Sequence, residues 1–175
     1  MRVLVVYESM FGNTHTVAER IGAGMGAGAD VSVLRVGEVF GRELDDVDLV
    51  VVGGPTHVHG MSRTMTRASA AEQAAKDVEL DLEPDAEGPG AREWLDGLGH
   101  VDGVRAAAFD TRADAPEIIT GHASHGIAKR LRKHGFELVA EPESFLVDKQ
   151  NHLVDGEDVR AAEWGEAVAA AATMV

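Results

Sequence analysis

Glu8-Ser-Met-Phe-Gly-Asn-Thr14 joins a short apolar run, Val3-Leu-Val-Val-Tyr7, to the segment Val17-Ala-Glu-Arg-Ile21. The run before it is β-branched and without alternation, the pattern of a strand buried on both faces of a parallel sheet. The segment after it sets Val17, Ile21 and Met25 on one face at helical spacing. Hydroxyls and backbone N–H groups therefore gather where a strand hands over to a helix. First-turn amides lack intrahelical partners, and the helix dipole places about half a positive charge there, so such a junction suits an anion. Gly12 lets the backbone approach closely, while Ser9, Asn13, Thr14 and Thr16 can add side-chain bonds. The loop carries no Lys or Arg, so an anion here would be held by neutral dipoles. An ordinary helix cap by Asn13 or Thr14 accounts for the loop alone equally well.

Outward from this loop the chain repeats a strand–helix rhythm. Val31 to Val36 reads as a second strand. Asp48 to Val52 reads as a third, ending in Gly53-Gly-Pro-Thr56, and Arg63 to Ala75 as a helix. A polar stretch, about 76–90, follows with acids at Asp77, Glu79, Asp81, Glu83, Asp85 and Glu87. It is expected to be a surface insertion with little to bury. A short helix over Ala91–Leu98 leads to a fourth strand, Val104–Phe109. Thr120 to His134 reads as a helix with Gly135 as its C-cap. Phe136–Ala140 and Ser144–Val147 suggest a fifth strand kinked at Pro142, and Gly156–Ala172 a final Ala-rich helix. Alternation of this kind implies an α/β fold, a parallel sheet covered on both faces by right-handed crossovers. Ligands of such sheets sit beyond the carboxyl ends of the strands at the topological switch point. The polar, Gly-bearing loops after strands one, three and four should converge there.

Composition narrows the classes of function. With 175 residues, 45% of them apolar, the chain suits one domain spanning 1–175. The absence of cysteine excludes disulfides, thiol catalysis and Cys-based zinc sites. A formal charge of −14 argues against nucleic acid and anionic membranes as partners and suits steering towards a basic one. No apolar run reaches membrane-span length and no targeting segment is evident, so a cytoplasmic location is expected. Competing α/β readings fail on their motifs. Gly24-Met-Gly-Ala-Gly-Ala29 falls after a helix rather than after the first strand, so it is no dinucleotide fingerprint, and no G-x-x-x-x-G-K-[ST] occurs. A phospho-receiver would want an acidic pair after strand one and an aspartate ending strand three, where this chain has only Glu8 and Gly53-Gly54.

Tyr7-Glu-Ser-Met-Phe-Gly-Asn-Thr14 resembles the FMN phosphate loop of flavodoxin-like proteins. Gly53-Gly-Pro-Thr-His-Val-His-Gly-Met61 is similar to their second loop, which runs beside the isoalloxazine ring. The resemblance implies a flavodoxin-like three-layer sandwich, a five-stranded parallel sheet of order 2-1-3-4-5 with the flavin between strands one and three. It implies that Ser9, Met10, Phe11, Gly12, Asn13 and Thr14 wrap the phosphate. Pro55, Thr56, His57, Val58, His59 and Gly60 would meet the ring, and Asp110, Thr111 and Arg112 would form the third cofactor loop. Electron-carrying flavodoxins commonly stack an aromatic on the ring, yet neither 54–63 nor 110–121 holds Trp, Tyr or Phe. Each missing contact forfeits about 0.5–1.5 kcal/mol.

Other notable residues have plain structural readings. His57-x-His59 and His122/His125 are expected at the surface or at helix caps rather than on a metal, since zinc needs a defined ligand set. Trp94 and Trp164 read as packing residues, and Asp110 as a loop-ordering side chain. Lys129, Arg130, Arg132 and Lys133 complement a helix C-terminus. Arg112 suits a ligand contact and a surface ion pair equally. No side chain stands out as a catalytic nucleophile or acid–base pair. The expected function is therefore an FMN-binding redox protein that passes electrons to a redox partner. The alternatives are an NAD(P)H:quinone reductase-type flavoenzyme, or a flavodoxin-fold module that has lost FMN and acts as a binding protein, so the residues leave open whether the chain is an enzyme.

Overall fold

The computed structural model describes residues 1–174 except 42, 43, 45, 78 and 79, so Glu79 of the acidic stretch lies outside the described residues. In chain order the elements are β1 (Arg2–Tyr7), α1 (Asn13–Gly24), β2 (Asp30–Arg35), α2 (Val36–Val39), β3 (Leu49–His57), β4 (Gly60–Met61) and α3 (Thr64–Ala74). They continue with α4 (Ala91–Asp96), β5 (Arg105–Ala113), α5 (Glu117–Thr120), α6 (Ala123–Lys133), β6 (Glu137–Leu138), β7 (Glu143–Val147) and α7 (Glu157–Thr173).

The sheet runs β2-β1-β3-β5-β6, with β7 also on β5, and all these pairs are parallel. β6 lies beside Arg105–Ala106 and β7 beside Phe109–Ala113, so the two share one interrupted strand position and the gap carries Pro142. This is the order 2-1-3-4-5 expected from the sequence. β3 and β5 extend past their apolar runs, pairing Gly54 with Asp110 and Pro55 with Thr111, so residues expected in loops belong to strands. The helix expected over 120–134 starts at Ala123 instead, because the chain turns at Gly121, whose φ is 70°, after the separate short helix α5. Gly135 closes α6 as expected, with φ 94° and its amide donating to the Arg132 carbonyl at 3.1 Å.

Strand side chains alternate between two cores. Leu4, Val6, Val50, Val52, Ala106 and Ala108 pack under α2, α4 and α6 with Trp94, Leu95, Ile127 and Leu131. Val3, Val5, Leu49, Val51, Ala107 and Phe109 pack under α1 and α7 with Val17, Ile21, Phe145 and Val168. Trp164 meets Phe109 and Phe145 edge-on at 6.3 and 6.2 Å, so both tryptophans are packing residues. The acidic stretch is attached rather than free, because only part of it lacks something to bind. The Glu83 amide donates to the Met10 carbonyl at 2.8 Å, the Glu83 carboxylate meets His15 Nδ1 at 2.8 Å, and Ala86 is buried. Among the described residues no helix is long and apolar enough to cross a membrane.

One carboxylate ties the last strand to the last helix. Glu157, at the start of α7, accepts from the Leu146 amide at 2.6 Å and pairs with Arg160 at 2.7 Å, while the Arg160 guanidinium lies 4.4 Å over the Phe145 ring. Burial would raise its pKa, but the Arg160 and Leu146 hydrogen bonds win and hold the carboxyl below the usual carboxylate range. A depressed folded pKa contributes stability above the unfolded value near 4.5 and loses it as pH falls through the folded value. Glu157→Gln is expected to cost about 1–3 kcal/mol at pH 7 and to flatten the acid limb below about pH 4.5. Urea midpoints across pH 3–7 check this, and an unchanged acid limb in the variant would contradict it.

Candidate functional site

At the carboxyl edge of the sheet, β1 ends against β3, and the Glu8 amide still donates to the Gly53 carbonyl at 3.0 Å before the chain turns into α1. Ser9 Oγ accepts from the Gly12 amide at 3.1 Å and closes the turn. Gly12 has φ 92°, and a Cβ built there would meet nothing within 4 Å, so glycine serves the left-handed backbone at an open position. Among the described residues no side chain caps α1, and its first turn holds no acid. The residues that offered an alternative as caps are engaged elsewhere. Thr14 Oγ1 lies 2.7 Å from Thr111 Oγ1, and the Asn13 side-chain amide donates to the Asn151 carbonyl at 2.9 Å.

A cavity of about 460 Å³ opens at this helix start, within the range of small-molecule sites. The first loop contributes Ser9, Met10, Phe11, Asn13 and Thr14, the second Pro55, Thr56 and His57, and the third Thr111 and Arg112. Ten of the residues expected from the sequence thus meet around one space. Charge around it is mixed, with Arg112 and Lys149 against Asp77 and Asp148. Asp148 Oδ1 accepts from the Gln150 and His152 amides, each at 2.9 Å. Burial, helped by the Arg67 charge, holds the His57 imidazole below its ordinary pKa, so a neutral ring faces the cavity at neutral pH.

The other five expected residues stand outside the lining. Gly12 acts through its left-handed backbone in the turn. His57 pairs with Gly60, making β3 and β4 a hairpin whose two turn residues are Val58 and His59. Val58 points outwards, 82% exposed, and the His59 backbone bridges Gly121. Asp110 is fully buried because β5 continues past it, and its Oδ2 accepts from the Ser124 amide at 2.7 Å, anchoring the start of α6. Arg112 stands between the cavity and an ion pair at the surface. It lines the cavity, and its guanidinium donates to the Ala115 carbonyl at 2.9 Å and pairs with Glu117 at 3.4 Å. His122 lies between Ser144 Oγ at 3.2 Å and Glu117 at 3.3 Å, against the His125 ring.

Besides Ala113 at the end of β5, two groups of lining residues were missed in the sequence. Val147 ends the fifth strand and Asp148 to Asn151 follow it, and Gln73, Asp77 and Leu80 come from α3 and the acidic stretch. The first had a signal, since a loop after the fifth strand must emerge at the same edge. The second had none, because nothing local in a polar stretch shows which surface it will cover.

The hairpin turn carries backbone strain. A two-residue turn with φ of 44° at Val58 and 68° at His59 has the positive angles that Asn-Gly accommodates and a β-branched residue resists. Replacing Val58-His59 by Asn-Gly is expected to raise stability by about 1–2 kcal/mol. A urea midpoint at or below that of the parent would contradict it.

Comparisons with known proteins point to the same fold. A family model described as a flavodoxin domain matches residues 4–75, which hold the first two loops. Flavodoxin 1 from Bacillus cereus superposes with a TM-score of 0.66 at 18% identity, over 99% of this chain and 98% of that one. Flavodoxin 2 from the same organism gives 0.64 at 23% identity, over 99% of each chain. Rubredoxin oxygen:oxidoreductase from Desulfovibrio gigas gives 0.59 at 18% identity, over 99% of this chain but 36% of that one, so the same architecture also forms part of a larger protein. A search of curated proteins finds no match. The fold is that of the flavodoxins.

Proposed function

We propose that this flavodoxin-like chain binds FMN in the cavity at the start of α1 and works as an electron carrier. The observation that carries the reading is the uncapped, acid-free helix start beside the left-handed Gly12, opening on a cavity between β1 and β3. Residues Ser9 to Thr14 would hold the phosphate through amides and hydroxyls. Pro55, Thr56 and His57 would lie along the ring, with Thr111 and Arg112 closing the far side. Bound FMN supplies one- or two-electron chemistry, and the surrounding charges and dipoles tune it. The neutral His57 imidazole offers a hydrogen bond without adding charge. The formal charge of −14 favours a basic redox partner held by weak, transient contact.

The aromatic-free second loop supports one further reading. With no Trp, Tyr or Phe over 54–63, a ring face would stay open to a second substrate, as an NAD(P)H:quinone reductase requires. Reduction of FMN-loaded protein by dithionite, followed by reoxidation with the basic haem protein cytochrome c, separates the two. A carrier gives electron transfer that slows as salt rises and no NAD(P)H-dependent quinone turnover. Sustained turnover with NAD(P)H and a quinone would overturn the carrier reading in favour of the reductase.

A further inference from the structure

Directly behind the first loop, a buried carboxyl has no part in the reading above. Glu8 is 7% exposed and its side chain turns away from the cavity into a polar cluster. Ser62 Oγ donates to one carboxyl oxygen, and the Ala91 amide donates to the other at 2.8 Å. Arg67, buried in α3, donates to Ser62 Oγ at 3.0 Å and pairs with Glu93 at 3.2 Å. The cluster is closed tightly, for a Cβ on Gly90 would lie 2.8 Å from Glu8 Oε2 and 2.9 Å from Glu93 Oε2. Arg67 pairs with Glu93 and also acts on Glu8, so one guanidinium faces two carboxyls in this cluster. Burial pushes the Glu8 carboxyl above the usual carboxylate range, against the Ser62, Ala91 and Arg67 interactions that favour its charged form, and Glu93 adds to the push. On its other side a crevice of about 20 Å³, lined by Tyr7, Glu8, Ser9, Arg35 and Asp85, has room for about one water and gives a proton a way in. The Tyr7 hydroxyl there accepts from Arg35 Nε at 3.1 Å, and Glu38 of α2 accepts from the Arg35 amide.

Glu8 is joined by one peptide bond to Ser9, which lines the cavity where a phosphate would sit. A dianion in that cavity opposes a second negative charge in the strand end behind it, in surroundings that screen it poorly. We propose that Glu8 takes up a proton from solvent when an anion occupies the cavity, so that ligand binding and protonation of this buried carboxyl are one linked event. The proposal rests on the FMN reading. It makes Glu8 a positioning residue that acts through Ser9 and sets the pH range in which the site holds its ligand. As pH rises across that range, FMN affinity of the parent protein falls by up to about tenfold per unit, the limit for one linked proton.

The test is calorimetric titration of the flavin-free chain with FMN, in pairs of buffers that differ in ionisation enthalpy, from pH 5.5 to 9. Above about pH 7.5 FMN is already a dianion, so protons gained there belong to the protein. The parent is expected to gain a proton, in an amount that peaks within the range and approaches one per FMN. Glu8→Gln is expected to bind FMN with no such gain and with an affinity that no longer falls as pH rises. Ser62→Ala keeps the carboxyl but removes a hydrogen bond that favours its charged form, so the parent's peak should move to higher pH. Equal proton exchange in parent and Glu8→Gln, with FMN bound by both, would overturn the proton linkage and leave the FMN site standing. Failure of every form to bind FMN would overturn both.

Discussion

Ser9→Asp is expected to lose FMN affinity at least a hundredfold while remaining folded. Ser9 lines the cavity, is 8% exposed, and its hydroxyl accepts from the Gly12 amide. A carboxylate of similar reach can accept the same bond, so the turn keeps its closure. It also places a negative charge where the phosphate would be. At a separation of about 5 Å and an effective dielectric constant of about 20, repulsion is about 3 kcal/mol for each phosphate charge. That is already about a hundredfold in affinity. Riboflavin, which lacks the phosphate, should bind the variant and the parent within a few-fold of each other. Fluorescence titration with both flavins, alongside circular dichroism, checks this. Unchanged FMN affinity would remove the phosphate from the first loop.

Gly165→Ala is expected to lose about 2 kcal/mol of stability. Gly165 in α7 lies against α1 so closely that an added Cβ would fall within the van der Waals envelope of the Ile21 carbonyl oxygen. Gly24 in α1 meets the Ala162 carbonyl in the same way from the opposite helix. The obstructing atoms are backbone on both sides, so no side-chain rotation relieves the overlap and the two helices must separate. Alanine gains about 1 kcal/mol over glycine in helix propensity. Overpacking costs of about 1–3 kcal/mol, and more where backbone is the obstacle, exceed that gain. A urea midpoint within error of the parent's would show that α1 and α7 do not cross at these glycines.

What was legible in the sequence follows the range of the interactions involved. Val3 to Val6 and Leu49 to Val52 announce buried parallel strands because each residue's burial is written in its own side chain. The strand–turn–helix order around Gly12 then fixes the edge of the sheet where a ligand belongs. Asp110 was harder to place, since its burial depends on pairing with Gly54 and on the Ser124 amide, neither of them near in sequence. Val58 and His59 give no turn signal of their own, and their positive φ angles follow from the pairing of His57 with Gly60. Asn13 and Thr14 looked equally suited to capping α1, and only their bonds to Asn151 and Thr111 remove that reading. The acidic stretch showed its charge but not its attachment, because Glu83 meets His15 across 68 positions of sequence.

The proposed function turns on whether the first loop and its cavity hold FMN. Titrating the flavin-free chain into FMN, following the quenching of flavin fluorescence, measures that directly. The account predicts saturable one-to-one binding at micromolar FMN, lost in Ser9→Asp. Flavin fluorescence left unquenched by folded protein would contradict it.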